Sequence, residues 1–275
     1  MTRTFETAPT QIIAVGAIKF AYRALGRSKG RPLVLLQHFT GTMDAWDPGL
    51  VNALADSRPV IVFDNAGIGT STGTVPDTID QMSTDAEDFI IALGFGEVDL
   101  LGFSLGGFIA QVIAARDRVA VRKLIIVGSA PKGGVQHLLK VVEEALALGA
   151  RDVRLPLFFT PNTASQRAGI AFIERTEARK DSRDPDSGEN VSNPQASAII
   201  GWCAEQDDDA LLKTITQPAL IVHGSCDTMF PVINAYQMSS RMTDATLVIY
   251  PDSGHGALFQ YPDTFAAHVQ IFLGA

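Results

Sequence analysis

The chain has 275 residues, a formal net charge of -8, 46% hydrophobic residues and 19% charged residues. This composition supports a large buried core and argues against extended disorder. The acidic balance makes nucleic acid an unsuitable partner. No stretch approaches the ~18 apolar residues that span a membrane, and residues 1–9 carry no apolar signal core. The two cysteines, Cys203 and Cys226, supply neither a disulfide framework nor a C-x-x-C spacing. A cytoplasmic protein with no membrane partner is expected.

The chain opens with two strand candidates, Gln11–Val15 and Ile18–Arg23, which read as a hairpin turning at Gly16. Short runs rich in Val, Ile and Leu follow: Pro32–Gln37, Pro59–Phe63, Val98–Leu101, Lys123–Val127, Pro218–Val222 and Thr246–Tyr250. Apolar runs without alternation suit parallel strands covered on both faces. Between them lie helical patterns at about 48–56, 78–93, 105–116, 231–241 and 257–273. Strand and helix alternate, which predicts a mostly parallel, doubly wound α/β sheet of about eight strands.

The alternation breaks after the sixth of these strands. Residues 1–132 and 213–275 therefore read as the core, and 133–212 as a helical cap inserted between two strands. Within the cap, Val135–Leu148 and Ser165–Lys180 have helical patterning, with Leu138, Leu139, Val142 and Phe172 as apolar positions. The run Arg179–Glu189 reads as a solvated loop.

The chemistry-bearing candidates fall at strand ends. Ser104 stands in Gly102-Phe-Ser104-Leu-Gly106, after an apolar strand and before an apolar helix. That context places a serine on a tight strand-to-helix turn, where glycines are needed because a Cβ would clash. A second match, Gly69-Thr-Ser71-Thr-Gly73, lacks a following helix and reads as an ordinary loop. A serine hydroxyl needs an adjacent base. Of five histidines, His255 in Gly254-His-Gly256 follows the last strand, where the glycines leave room for a mobile ring. The cap holds His137, the last helix His268, and His223 ends a strand as a packed or hydrogen-bonded residue. Asp227 follows the strand Pro218–Val222 and is the candidate acid that orients the imidazole. Cys226 beside it reads as a small buried residue. The glycines at 67, 69 and 73 miss the dinucleotide-loop spacing and read as a turn.

These landmarks together resemble the α/β-hydrolase superfamily over nearly the whole chain: His38-Phe-Thr-Gly41, Asp64 to Ser71, Gly102 to Gly107, Gly224-Ser-Cys-Asp227 and Gly254-His-Gly256. They are similar to the branch that holds small esterases, cofactor-free haloperoxidases and carbon–carbon hydrolases. The resemblance implies a triad of Ser104, Asp227 and His255 in that chain order. It implies oxyanion donors at the Leu105 N–H and in the loop after the third strand. There the superfamily usually has His-Gly-X where this chain has His38-Phe39-Thr40. Thr40 is the donor by position, and Phe39 is the alternative. Pocket candidates are His38, Trp46, Phe103, Phe158, Phe159 and Trp202. The expected activity is hydrolysis of a small-molecule ester or related acyl compound, with neither metal nor cofactor. The alternatives are a slow-turnover ligand sensor, a haloperoxidase or perhydrolase, and a carbon–carbon hydrolase.

Overall fold

A computed structural model of the chain describes residues 4–134, 140, 141, 144, 147–205 and 209–274. His137, Leu138, Leu139, Val142 and much of the expected helix Val135–Leu148 lie outside the described residues. The strands are β1 Gln11–Val15, β2 Ile18–Gly26, β3 Leu33–Leu36, β4 Pro59–Phe63, β5 Val98–Phe103, β6 Val121–Val127, β7 Ala219–Gly224 and β8 Ala245–Tyr250. They form one sheet in the order β1-β2-β4-β3-β5-β6-β7-β8. β1 and β2 pair antiparallel, as do β2 and β4, and every pair from β4 to β8 is parallel.

The apolar runs are buried because both sheet faces are covered. Val34 and Leu36 join one core with Leu124 and Ile126, while Leu33 and Leu35 join the opposite core with Ile125 and Val127. Alternate side chains of each strand thus enter different layers. Helices α1 Pro48–Ala55, α2 Ile79–Ala92 and α3 Leu105–Arg116 connect the first strands. Between β6 and β7 lie α4 Arg154–Phe158, α5 Thr163–Thr176, α6 Glu189–Ala204 and α7 Ala210–Thr214. α8 Ile233–Arg241 precedes β8. The last helical pattern is split into α9 Ala257–Gln260 and α10 Pro262–Leu273, since Pro262 pre-sets the start of a new helix. No described helix is long and apolar enough to cross a membrane.

The run Arg179–Glu189 is mostly exposed, as expected of a solvated loop, but two of its residues turn inward. Arg179 and Asp184 are buried, and Asp184 joins Arg23 and Asp44 in an ion cluster under the sheet edge. The Arg23 guanidinium lies 2.5 Å from Asp44 and 3.2 Å from Asp184. Arg179 donates to the carbonyls of Phe5, Glu6 and Ala8. Buried charge is tolerable only when paired and hydrogen-bonded. Arg179 and Asp184 therefore belong to an internal network, while most of the run around them is exposed. Cys226, expected to be buried, is exposed.

Candidate active site

The sheet order reverses at β3, whose neighbours are β4 and β5. Open α/β sheets bind ligands beyond the carboxyl ends of strands at such a point. His38 to Thr40 follow β3, Ser104 follows β5, Asp227 follows β7 and His255 follows β8. Residues far apart in the chain therefore share one edge of the sheet.

Ser104 caps the N-terminus of α3 with φ 57° and ψ -118°. A non-glycine residue there carries strain of order 1–3 kcal/mol, so the surroundings must hold it. Its N–H donates to Val127 O at 2.9 Å, and its carbonyl accepts from Gly107 N at 2.8 Å and Ser129 Oγ at 3.0 Å. The flanking glycines are required by close approach. A Cβ on Gly106 would lie 2.0 Å from Leu36 O, and one on Gly102 would lie 2.2 Å from Gly106 O. Ser71 sits differently: its hydroxyl donates to Asp64 O and accepts from Ala21 N, tying β2 to the turn after β4.

His255 Nδ1 lies 2.9 Å from Asp227 Oδ2. The other carboxylate oxygen accepts from Met229 N at 2.9 Å and Phe230 N at 3.0 Å. Burial alone would raise the Asp227 carboxyl. The His255 charge and the hydrogen bonds from both histidines outweigh burial and hold it well below the usual carboxylate range. A carboxylate facing Nδ1 puts the proton on Nδ1 and leaves Nε2 as a lone pair. That Nε2 is buried and has no hydrogen-bond partner among the described residues.

His223 also reaches the aspartate. Its Nε2 lies 3.2 Å from Asp227 Oδ2 and 2.6 Å from Phe230 O. Burial pulls its pKa down, but the bond to Asp227 and the aspartate charge raise it above the ordinary imidazole value. The expectation of a packed, hydrogen-bonded His223 holds. Its sharing of Asp227 had no sequence signal, because the i,i+4 spacing falls in a loop.

The structure sorts the aromatic candidates. Phe103, next to Ser104, lies 5.1 Å from the His255 ring. Phe158 lies 5.6 Å from His255 and 5.6 Å from Phe103. His38 packs 5.5 Å from each of these phenylalanines. Phe230, missed in the sequence, lies 5.3 Å from His255. Trp46 is fully buried, with Phe103 and Phe259 against its ring. Phe159 packs on Phe172. Trp202 stacks on Phe108 of α3 at 5.0 Å and donates to Ala130 O. Both therefore anchor their own helices and have no ring contact with His255. The glycines beside His255 serve a different end than ring mobility. A Cβ on Gly254 would meet Phe158 O at 2.8 Å, and one on Gly256 would meet the Phe158 side chain at 2.7 Å. They let α4 close over the histidine, which is buried.

The loop after β3 offers one backbone donor and not the other. Thr40 N–H donates to Gln195 Oε1 at 2.6 Å. Phe39 N–H and Leu105 N–H donate to no group among the described residues. His38 Nδ1 lies 2.8 Å from the Phe39 carbonyl, which can only accept, so Nδ1 carries the proton. Burial, only partly offset by this bond, lowers the His38 pKa to about 3, so the ring is neutral. A cavity of about 440 Å³ beside α4, lined by Arg154, Lys180 and Arg183 among other charged side chains, includes neither Ser104 nor His255.

A sheet of this order, with a strained serine after β5 and a histidine–aspartate pair after β8 and β7, defines the α/β-hydrolase class. The family model for the alpha/beta hydrolase fold matches residues 31–262, and the chain belongs to that family. It is 26% identical to the 2-hydroxy-6-oxo-6-(2'-aminophenyl)hexa-2,4-dienoic acid hydrolase of Metapseudomonas resinovorans, over 96% of this chain and 90% of that protein. It is 27% identical to the pimeloyl-(acyl-carrier protein) methyl ester esterase of Nitrosomonas europaea, over 86% of this chain and 94% of that protein. Among solved structures, an alpha/beta hydrolase fold protein from Chitinophaga pinensis superposes with a TM-score of 0.95 at 39% identity, covering 99% of this chain and 100% of that one.

Proposed function

We propose that this chain is a serine hydrolase of small-molecule esters or related acyl compounds, with Ser104 as nucleophile, His255 as base and Asp227 as the acid that orients it. The observation that carries this reading is the strained turn at Ser104 together with the His255–Asp227 bond of 2.9 Å. Strain at a non-glycine residue, held by a surrounding scaffold, is typical of functional positions.

The chemistry runs in two displacements. His255 Nε2 takes the Ser104 Oγ proton as Oγ attacks the acyl carbon, and the carbonyl π electrons move onto oxygen. The Leu105 and Phe39 N–H groups donate to that oxyanion. Phe39 is favoured over Thr40 because the Thr40 N–H is already given to Gln195. When the tetrahedral species collapses, the bond to the leaving group breaks and His255 returns its proton to that group. Water then attacks the acyl-serine by the same route, releasing the acid and restoring Ser104. Asp227 holds the Nδ1–H tautomer throughout and stabilises the imidazolium.

Residues 133–212 act as a cap in this reading. Phe158 of α4 lies against His255 and shields it from water, which strengthens every electrostatic contact in the site. His38 and Phe158 form part of the wall around the acyl group. The relatives named above support hydrolase chemistry, one by name on a dienoic acid and one on a methyl ester carried by an acyl-carrier protein.

The test is reaction with a fluorophosphonate, mass mapping of the adduct, and turnover on a panel of short acyl esters. The expected result is one adduct on Ser104, none in Ser104→Ala, and multiple turnovers on at least one ester. An adduct on Ser71 would overturn the assignment. Turnover that stops after a single cycle would favour a ligand sensor.

A further inference from the structure

We propose that Gln195 of α6 is a positioning residue of the oxyanion loop, taking the Thr40 N–H so that the neighbouring Phe39 N–H is held toward the reacting oxygen. This rests on the proposed function and names a part of that same site.

The loop cannot hold itself. Thr40 has φ 58°, in the left-handed region that a β-branched residue enters only under outside constraint. Every polar group of the Phe39–Thr40 peptide is engaged. The Phe39 carbonyl accepts from His38 Nδ1 and from Thr40 Oγ1, both at 2.8 Å. The Thr40 N–H goes to Gln195 Oε1 at 2.6 Å, across 155 residues of chain. One peptide further, Ser187 Oγ donates to Thr40 O at 2.7 Å. From below, Gln37 accepts from His38 N and donates to Thr42 O. The peptide plane is thus pinned from the core by Gln37 and His38, and from above by α6 and the segment leading to it. The Phe39 N–H, in the preceding peptide, donates to no group among the described residues.

Gln195 suits this task. It is 1% exposed, so water does not compete for its amide. It is neutral, so it adds no negative charge one peptide away from a developing oxyanion. A free Thr40 N–H would be a rival donor, and a peptide released from Gln195 could rotate either N–H out of line. α6 itself is fixed to the core by Trp202 stacked on Phe108. Oxyanion geometry is therefore set by the packing of α6 over the loop, which ties the cap to the catalytic step.

The experiment compares wild type with Gln195→Met, which keeps volume and removes the acceptor, and with Ser187→Ala, a half-buried site where misfolding is not at issue. A trifluoromethyl ketone forms a tetrahedral adduct with the serine and reports the oxyanion hole. The matching non-fluorinated amide reports ground-state binding. Gln195→Met should lower kcat by about 10- to 100-fold, with KM changed less than about threefold, since a misplaced donor costs less than a missing one. Ketone affinity should fall by the same factor as kcat/KM, and amide affinity should hold. Ser187→Ala should move the same readouts in the same direction by a few fold. Wild-type kcat and ketone affinity in Gln195→Met would overturn the proposal. So would equal losses of ketone and amide affinity, which would mean general damage to the pocket. If Gln195→Met does not fold, an unchanged kcat and ketone affinity in Ser187→Ala overturns it. A wild-type protein that reacts with neither fluorophosphonate nor ketone would instead refute the hydrolase reading.

Discussion

Replacing Asp227 with Asn tests the acid, because the structure dictates which way the new amide must face. Met229 N–H and Phe230 N–H both point at Oδ1, so the amide oxygen has to stay there. The NH2 then takes the place of Oδ2, facing His255 Nδ1 at 2.9 Å and His223 Nε2 at 3.2 Å. Both nitrogens carry protons, because Nδ1 of His255 serves the carboxylate and Nε2 of His223 serves Phe230 O. Donor meets donor twice. His255 can relieve its conflict only by moving the proton to Nε2, which removes the lone pair that the proposed mechanism assigns to the Ser104 proton. A wrong tautomer of this kind costs about 10⁴ in kcat in serine enzymes, or about 5 kcal/mol of transition-state stabilisation. Turning the amide round instead would leave two buried N–H groups facing an NH2, at about 1–3 kcal/mol each. The assay is kcat/KM on the best ester of the panel, with far-UV circular dichroism to verify folding. Activity of Asp227→Asn within tenfold of wild type would refute the assignment and move the acid elsewhere.

Three further outcomes follow from the packing. The folded His38 pKa of about 3 lies below its unfolded value of roughly 6.5, so the unfolded chain binds more protons between those values. Stability should be full above pH ~6.5 and fall by up to ~1.4 kcal/mol per unit as pH drops toward 3. Denaturant midpoints for wild type and His38→Asn should converge as pH is lowered; parallel curves would contradict this. Arg23→Leu removes the cation nearest Asp44 and Asp184 and leaves only Arg179, 3.9 Å from Asp44; it should cost about 3–5 kcal/mol in urea unfolding, whereas a loss under about 1 kcal/mol would show the network to be wet. In Gly106→Ala the new methyl meets Leu36 O, forcing α3 off β3, and should cost about 3 kcal/mol of stability together with activity; a fully stable, active variant would refute the close approach.

Much of the core was legible from short windows of chain. An apolar run such as Lys123–Val127 states its own burial, because alternate side chains must both find cover. The turn at Ser104 was readable because Gly102 and Gly106 answer a clash within one strand–helix unit. The placement of Ser104, Asp227 and His255 after strands was readable from the apolar runs before them. What depended on distant partners was hidden. α6 was missed because Pro194 lies inside it, where a helix is not expected to continue, and its apolar residues are spread around the helix. Arg179 and Asp184 looked solvated, since composition cannot reveal that Arg23 waits inside for Asp184 and the carbonyls of Phe5, Glu6 and Ala8 for Arg179. Gln195 is an ordinary polar residue until tertiary packing sets it against Thr40. Local pattern encodes which face of an element is buried. Which polar groups meet is decided by packing across long stretches of chain, and here that packing decided how the loop after β3 is held.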